Sequence, residues 1–181
     1  MKEQIQVELI PMEEADRNQF ILDNQEAFRY GALEEFGVRD EHFEDGEEII
    51  SRQTIEGCMD LKGAEIYRIT LHGKNVGGVI LHINPETNHN ELALLFVIPT
   101  VHSKGIGQAA WKAIEQLHPE TKVWETCTPC FEKRNIHFYV NCCGFHIVEF
   151  FNAKHPDPNN PNEFLGASAD DEMFRFEKVM K

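Results

Sequence analysis

Hydrophobic and polar positions recur along the chain with two different periods, which predict strands and helices in a mixed order. Gln4–Ile10 alternates apolar and polar residues, as a half-buried strand does. Helical patterns follow over Glu13–Phe36 and over Phe43–Cys58. Ala64–Leu71 and Val76–Ile83 are then rich in β-branched and aromatic residues and are separated by a glycine turn. This arrangement predicts an antiparallel hairpin.

The second half of the chain alternates strands with helices. Glu91–Ile98 contains seven consecutive apolar residues, which predicts a central strand buried on both faces. Gly105–His118 has the apolar spacing of an amphipathic helix, and Pro119 stops it. The remaining predicted elements are a strand at Lys122–Cys127, a helix at Phe131–Cys142, a strand at His146–Asn152, a surface loop at Ala153–Asp171 and a strand at Glu172–Met180. The order predicts an α/β fold with a mixed sheet.

Size and composition are those of one globular domain. The chain has 181 residues, of which 41% are hydrophobic and 27% are charged. No apolar run approaches the roughly 20 residues that a membrane-spanning helix needs. Residues 1–11 lack the basic and apolar regions of a secretory signal. We therefore expect a cytoplasmic domain that does not act on a membrane.

The charge balance narrows the classes of partner. The chain carries 31 acidic and 17 basic residues, giving a formal net charge of −14. Because phosphate backbones require a concentrated basic surface, nucleic acid is not expected as a ligand, and a cationic partner suits the field better. One acidic cluster flanks the join between the first two predicted helices, and is either a solvated face or part of a specificity site: Glu34, Glu35, Asp40, Glu41, Glu44, Asp45, Glu47 and Glu48.

Five cysteines suggest a second kind of chemistry. Cys127 and Cys130 have the spacing of half a zinc site or of a redox pair. The side chains available to complete such a site are Cys142, Cys143, His137 and His146. The chain has no second pair with this spacing, so we expect free thiols in a reducing compartment and no metal. A zinc or thiol protein remains an alternative.

One junction carries the most specific signal for a ligand. The predicted buried strand ends at Ile98, a short loop follows, and Gly105 and Gly107 open the next helix. Glycine lets a ligand approach the backbone closely, and the first N–H groups of a helix lack internal partners. The junction therefore predicts a site for a phosphate or pyrophosphate. Neither the P-loop pattern nor the glycine-rich dinucleotide fingerprint is present.

Two segments together resemble the GCN5-related N-acetyltransferases. Leu95–Val97 followed by His102–Gly107 resembles the acetyl-CoA loop of that family, and Asn135–Phe145 resembles its downstream asparagine and tyrosine segment. The resemblance spans about Ile5 to Phe151. His102 stands where the family usually has glutamine or arginine, which puts one side-chain contact in doubt. The resemblance implies a mostly antiparallel sheet with a splayed parallel pair of strands, flanked by helices, in a single domain over residues 1–181.

The resemblance also implies acetyl-CoA as co-substrate and assigns roles to particular positions. The strand around Phe96 would pair with the pantetheine amides, Asn135 would contact the pantetheine, and Tyr139 would protonate the departing thiolate. The residues implied in binding acetyl-CoA are Leu95, Phe96, Val97, His102, Ser103, Lys104, Gly105, Ile106, Gly107, Gln108 and Asn135. The implied activity is direct transfer of an acetyl group to a primary amine on a small molecule or a peptide.

Transfer to an amine requires a base. An alkylammonium has a pKa of about 10 and must lose a proton before it attacks. Glu91 stands at the position of the catalytic glutamate of histone-acetylating members of the resembled family, and a carboxylate is a suitable base. His82, His89 and His137 are alternatives. A CoA-binding sensor or scaffold without turnover is the rival function, and the loop Ala153–Asp171 is a candidate wall of the acceptor site or contact for a second copy in a homodimer.

Overall fold

The computed structural model describes residues 4–36, 50–101, 105–159 and 172–181, with side chains from 32 to 36 left aside. None of the described helices is long and apolar enough to span a membrane. The strands are β1 (Glu8–Pro11), β2 (Ala64–Leu71), β3 (Lys74–His82), β4 (His89–Val97), β5 (Val123–Pro129), β6 (His146–Phe151) and β7 (Met173–Val179). The helices are α1 (Arg17–Phe36), α2 (Arg52–Asp60), α3 (Ile106–Leu117) and α4 (Lys133–His137).

All seven strands form one sheet in the order β1-β2-β3-β4-β5-β7-β6. Every neighbouring pair is antiparallel except β4 and β5, which are parallel. The predicted α/β class, with a mostly antiparallel sheet and one parallel pair, is confirmed. The apolar run predicted as a central strand is β4, the fourth of the seven strands in the described residues, and its side chains pack with one core on each face of the sheet.

The parallel strands β4 and β5 pair only at their beginnings. Three residue pairs form the ladder, and the last of them is Glu91 with Glu125. Beyond this point the side chain of Thr126 donates to the carbonyl oxygen of Leu92 at 2.8 Å. From there β4 continues to Val97 and β5 to Pro129, and no further ladder joins their described residues. The strands therefore splay, and an opening is left between them.

Each face of the sheet carries its own core. On one face, α1 and α2 bury a cluster that includes Phe20, Ile21, Ile55, Met59 and Ile80. On the other face, α3 and the segment after α4 bury a cluster rich in aromatic rings, which includes Trp111, Trp124, Tyr139, Phe145 and Phe176. Because helices cover both faces of the sheet, the opening between β4 and β5 is bordered by α1 and α2 on one face and by α3 and the segment after α4 on the other.

A bulge in β4 decides which side chains face which core. Ile80 pairs with Leu94 and Leu81 with Leu92, so Ala93 is the extra residue. Ala93 and Leu94 both pack with the α1 and α2 cluster, whereas Leu92 packs with the opposite cluster. Since one inserted residue reverses the alternation of a strand, the bulge moves every earlier side chain of β4 to the other face.

Several predicted boundaries differ from the structure. β1 begins at Glu8 rather than Gln4, although Val7 is buried before any strand pairing starts. α1 begins at Arg17, after a short 3₁₀ turn. α2 begins at Arg52, where the Ser51 hydroxyl accepts from the backbone N–H of Thr54 at 3.1 Å. Residues 43–49 of the predicted second helix and residues 160–171 of the predicted loop lie outside the described residues.

The helix predicted over Phe131–Cys142 is divided. α4 covers Lys133–His137, and Phe138–Cys142 continues as a π-helical turn in which the Cys143 N–H donates to the carbonyl of Phe138. A π turn shifts the side chains that follow relative to an α-helix, and such turns are common at functional sites. Here it directs Tyr139 into the aromatic core, with its ring 5.8 Å from that of Phe145.

Candidate functional site

A cleft of about 290 Å³ lies where β4 separates from β5. Its floor is the second half of β4, one end is the beginning of α3, and its far wall is α4 with the π-helical turn. The lining residues are Ala27, Phe28, Gly31, Leu95, Phe96, Val97, Val101, Gly105, Ile106, Gly107, Gln108, Glu132, Arg134, Asn135, Phe138, Tyr139 and Cys142. The cleft is partly open to solvent and is lined by consecutive residues of β4, so an extended ligand can lie along this strand.

The start of α3 is suited to bind an anion at one end of this cleft. Gly105 caps the helix in the left-handed region with φ of 74°, and it provides no side-chain cap. The first helical hydrogen bond runs from the N–H of Ala109 to the carbonyl of Gly105, so the preceding N–H groups have no acceptor inside the helix. These donors and the positive end of the helix dipole favour a phosphate group.

Gly107 keeps this end of the cleft narrow but open. A Cβ atom added at Gly107 would lie 3.2 Å from the ring of Phe138, tighter than ordinary contact. A side chain here would therefore have to displace the ring or fill the space above the helix start. Phe138 belongs to the π-helical turn, so this turn and α3 together shape the cleft.

The structure brings together most of the residues predicted to bind acetyl-CoA. Eight of them line the one cleft: Leu95, Phe96, Val97, Gly105, Ile106, Gly107, Gln108 and Asn135. The other three, His102, Ser103 and Lys104, lie outside the described residues. Gln108 reaches across to the π-helical turn, where its side-chain amide donates to the carbonyl of Cys142 at 3.3 Å. The cleft is thus assembled from two segments that are distant in sequence.

Asn135 is fixed in place by its neighbours. Its amide nitrogen donates to a carboxylate oxygen of Glu132 at 2.9 Å and to the hydroxyl of Thr128 at 3.4 Å. The first contact lies within the same helical segment and the second ties the segment to β5. Because the amide nitrogen makes both of these hydrogen bonds, they also fix the orientation of the side-chain carbonyl oxygen on the cleft wall.

Tyr139 lies where the cleft reaches the point of separation of β4 and β5. It is 7% exposed, lines the cleft and has the hydroxyl of Thr126 as a hydrogen-bond partner. Thr126 in turn donates to Leu92 at the end of the ladder. Burial raises the pKa of Tyr139, so the phenol keeps its proton at neutral pH. The protonated phenol can donate a hydrogen bond at this point, and it is a weak acid.

Glu91 lies at the same point of the sheet but on the face of α1 and α2. Its side chain is 45% exposed, and Oε2 lies 2.9 Å from Nδ1 of His82. The other ring nitrogen of His82, Nε2, lies 2.9 Å from the carbonyl oxygen of Cys58 in α2. The structure therefore joins two residues that are separate candidates for a base in the sequence analysis. Glu91 and Tyr139 thus lie on opposite faces of the sheet, and of the two only Tyr139 lines the cleft.

The other two histidines are placed elsewhere. His89 begins β4 on the far side of Glu91, and its Nε2 lies 3.1 Å from Oε2 of Glu125. His137 ends α4 and contacts the amide of Asn141 one turn later at 2.9 Å. Both are exposed, and neither is among the residues lining the cleft.

The cysteines do not have the properties of a thiolate site. All five are free thiols. Burial raises the pKa of Cys127 to about 12 and that of Cys130 to about 11, so both remain protonated at neutral pH. Thiol exchange requires the thiolate. The raised pKa values therefore favour the interpretation of Cys127 and Cys130 as packed thiols over a redox pair.

Carboxylates line the sheet beside Glu91. The register places Glu125 of β5 directly opposite Glu177 of β7, and Arg175 lies between several of these groups. Nη1 of Arg175 is 2.5 Å from Glu177 and 3.6 Å from Glu125, and Nε is 3.8 Å from Glu149. One guanidinium thus faces three carboxylates, and this surface keeps a negative balance. The side chains of the acidic cluster predicted from residue 34 to 48 lie outside the described residues.

Sequence reasoning missed three groups of residues in the cleft. Ala27, Phe28 and Gly31 come from α1, which no motif marks, and only the packing of α1 over β4 brings them there. Phe138 was noted only as part of a motif, and its role beneath Gly107 depends on the π turn. Arg134 was overlooked, although a cation directly before Asn135 in a segment already assigned to the ligand was a readable signal.

Comparison with known proteins gives a consistent result. Residues 32–145 match the sequence profile of the acetyltransferase (GNAT) family. The chain is 48% identical over 172 residues, which is 93% of this chain and 90% of the relative, to "Uncharacterized protein YrkN" of Bacillus subtilis (strain 168).

Solved structures share the fold at low sequence identity. The ribosomal-protein-S18-alanine N-acetyltransferase from Escherichia coli superposes with a TM-score of 0.66 and 12% identity, covering 97% of this chain and 94% of that chain. The spermidine N-acetyltransferase from Vibrio cholerae, in complex with CoA and spermine, has a TM-score of 0.64 and 15% identity, covering 96% and 95%. Their similarity to this chain concerns the fold.

Proposed function

Because this chain belongs to the acetyltransferase (GNAT) family, we propose that it transfers an acetyl group from acetyl-CoA directly to a primary amine. The family predicted from the two sequence segments is confirmed. The predicted co-substrate is confirmed as well, since the acetyl donor of this family is acetyl-CoA. The observation that carries the proposal is the cleft along β4, with the start of α3 at one end and Tyr139 at the other.

The residues of the cleft fit acetyl-CoA in charge and shape. The N–H groups after Gly105 suit the pyrophosphate, and Arg134 adds a cation at the rim. Beyond Glu91, the edge of β4 that faces β5 forms no strand pairing with β5. The backbone groups on this edge can therefore pair with the amides of an extended pantetheine arm. At about 3.3 Å per residue, the strand from Val97 back to Leu92 spans roughly 17 Å. When bound, acetyl-CoA supplies a thioester carbonyl that an amine can attack.

The chain's own residues would then act from two faces of the sheet. Glu91, on the face of α1 and α2, takes a proton from the acceptor ammonium, directly or through a water. Backbone N–H groups of β4 hold the thioester carbonyl oxygen and stabilise the charge that develops there. Tyr139, on the other face, gives its proton to the departing sulfur. Holding both substrates at one opening supplies much of the rate acceleration, because the encounter becomes intramolecular.

We propose that the acceptor carries positive charge beyond the reacting ammonium. The basis is the carboxylate-lined sheet surface beside Glu91, where Glu125, Glu149 and Glu177 outnumber Arg175. Such a surface attracts a cation and repels an anionic acceptor. Polyamines, aminoglycosides and basic peptides all satisfy this requirement, so the surface defines a class of acceptor rather than one compound.

An assay of thiol release tests the proposal. Purified protein with acetyl-CoA is offered polyamines, aminoglycosides, amino acids and basic peptides, and free CoA is measured. We expect release that depends on the amine and is fastest with the cationic groups. Binding of CoA by calorimetry, together with no release across the whole panel, would instead identify a CoA-binding sensor or scaffold.

Gly107→Val is expected to weaken acetyl-CoA binding. The added side chain meets the Phe138 ring and crowds the N–H groups at the start of α3. Loss of one charge-assisted hydrogen bond costs about 1.5–3 kcal/mol, which corresponds to a rise in KM of roughly 10- to 100-fold. Steady-state kinetics at varied acetyl-CoA measures it. Gly57→Val is the control, since Gly57 lies in α2 with nothing within 4 Å of a new Cβ; an equal rise in both variants would contradict the assignment.

Tyr139→Phe is expected to lower kcat by about 100-fold, at the lower end of what general acids contribute, because a phenol with a raised pKa is a weak acid. KM for acetyl-CoA should change little, since the ring and its packing remain. Tyr67→Phe is the matched control, because Tyr67 bonds Glu65 at 2.8 Å on β2, away from the cleft. An unchanged kcat in Tyr139→Phe across the pH range would remove the hydroxyl from the mechanism.

A further inference from the structure

The hydrogen bonds of His82 fix where its protons lie. Nε2 is 2.9 Å from the carbonyl oxygen of Cys58, and Nδ1 is 2.9 Å from Oε2 of Glu91. A carbonyl oxygen can only accept, so Nε2 must carry a hydrogen and donate it. Nδ1 then faces a carboxylate oxygen, which also has no hydrogen when ionised. For Nδ1 and Oε2 to lie only 2.9 Å apart, one proton must therefore lie between them, on either His82 or Glu91.

We propose that His82 is a positioning residue whose protonation decides whether Glu91 can act as a base. It holds one carboxylate oxygen and leaves the other to meet the acceptor ammonium. The inference rests on the proposed function, in which Glu91 receives that proton.

The sheet enforces the pairing. His82 and Glu91 are direct partners in the register of β3 and β4, and the Ala93 bulge brings Glu91 to the face of α2. The His82 side chain is 13% exposed, whereas that of Glu91 is 45% exposed. The imidazole is therefore anchored inside between α2 and the sheet, and the carboxylate is the member of the pair that a ligand can reach.

Proton counting gives the direction of the pH dependence. While Nδ1 carries a proton, the pair is an imidazolium and a carboxylate, and the adjacent positive charge makes Glu91 a weak base. Once Nδ1 is deprotonated, an N–H bond of the ammonium breaks, its electron pair stays on nitrogen, and Glu91 binds the proton. The proton arrives on the carboxylate oxygen that His82 does not hold, and rotation of the protonated carboxyl group then presents it to Nδ1, which accepts it. Turnover should thus rise with pH as His82 loses its proton.

The surroundings raise the pKa of His82 above the ordinary value of histidine. The hydrogen bond with Glu91 raises the pKa of His82, assisted by the bond to Cys58 and opposed by burial. Other titratable groups near the pair stay neutral or have their own partners. Burial and the Glu91 charge raise the pKa of the Cys58 thiol. Cys127 has a pKa of about 12, and Glu125 bonds His89. The residue of β2 opposite His82 is Ala64.

The substitution His82→Asn distinguishes a role of His82 in controlling Glu91 from a role in packing alone. The asparagine amide can donate to Glu91 as Nδ1 does, but it does not titrate. In the wild type, we expect kcat/KM to rise with pH along an acidic limb as His82 loses its proton. This limb should lie at lower pH than the ionisation of the amine, whose pKa is about 10. In His82→Asn that limb should be lost, with KM for acetyl-CoA unchanged. His89→Asn is the matched control and should retain it. A limb that stays at the same pH in His82→Asn would overturn the inference.

A second measurement does not depend on activity. The imidazole ¹⁵N signals of His82 are titrated by NMR in the wild type and in Glu91→Gln, without acetyl-CoA or amine. We expect Nε2 to stay protonated throughout, and Nδ1 to titrate at lower pH in Glu91→Gln. Identical titrations in both proteins would overturn the inference. If the NMR shift is found but no amine releases CoA, the proposed function fails; if transfer occurs with an unchanged limb in His82→Asn, the inference alone fails.

Discussion

Glu91→Gln is expected to lower kcat/KM for the amine by about 10²- to 10⁴-fold, the usual contribution of a general base. Glutamine keeps the size of the side chain and one hydrogen-bonding oxygen, so β4 and its register should persist. It cannot take a proton from the ammonium, and this is the step we assign to Glu91. The loss should be seen at every pH, because the amide of glutamine cannot bind the proton of the ammonium whether His82 is protonated or not. Initial rates of CoA release over a range of pH measure it.

The control for this substitution removes the same charge elsewhere. Glu120→Gln changes an exposed carboxylate after α3, whose side chain is 52% exposed and contacts His118. We expect turnover close to that of the wild type. Calorimetry with CoA should give similar affinities for Glu91→Gln and the wild type, because Glu91 is not among the residues lining the cleft. A variant Glu91→Gln with full turnover would exclude this carboxylate as the base and leave another group to be found.

Arg68→Ala is expected to reduce the free energy of unfolding by about 3 kcal/mol, at the lower end for breaking a buried ion pair. Arg68 is 4% exposed and lies on β2 beneath α1. Its guanidinium contacts Asp16 at 2.5 and 3.1 Å and Asp23 at 2.9 Å, and it lies 5.1 Å over the Phe20 ring. Removing it leaves two carboxylates without their partner. The lower value applies because the Asp16 side chain is 31% exposed and water can reach it.

Urea unfolding followed by circular dichroism measures this loss. Arg17→Ala is the control: Arg17 pairs with Asp60 at 2.8 Å, but the Asp60 side chain is 66% exposed, and such pairs contribute at most about 1 kcal/mol. Arg68→Lys keeps the charge but loses the two-pronged contact with Asp16, so it should fall between the wild type and Arg68→Ala. Equal losses for Arg17→Ala and Arg68→Ala would contradict the role of the buried cluster. Because α1 forms one wall of the cleft, Arg68→Ala should also raise KM for acetyl-CoA.

Local sequence patterns predicted the order of the elements well. Alternation and β-branched content located β2 and β3, and the apolar run located β4, since these signals depend only on neighbouring residues. The boundaries were less accurate where long-range contacts intervene. Val7 is buried by packing before β1 begins to pair, and the π turn after α4 breaks a pattern that reads as one helix.

The residues of the candidate site also divide into those that the sequence predicted and those that only the structure brought together. Glycines at the start of α3 and the asparagine and tyrosine segment were recognisable because each signal is short and contiguous. The partnership of His82 with Glu91 was not, although both residues were candidates. It depends on the register of β3 and β4, which in turn depends on the single extra residue, Ala93. No periodicity in the sequence marks that bulge, and without it the carboxylate would point to the opposite face.

The sequence alone therefore determined the class of fold, the position of the glycine turn at the start of α3 where we propose that the pyrophosphate binds, and the identity of the family, because each follows from local spacing or from a contiguous motif. The tertiary structure decided the rest: how far β4 and β5 pair before they separate, that α1 closes the cleft, and that Glu91 meets His82 while Tyr139 approaches from the other face. These features arise from contacts between segments far apart in the chain, whose free energies depend on mutual packing and register and not on any one segment.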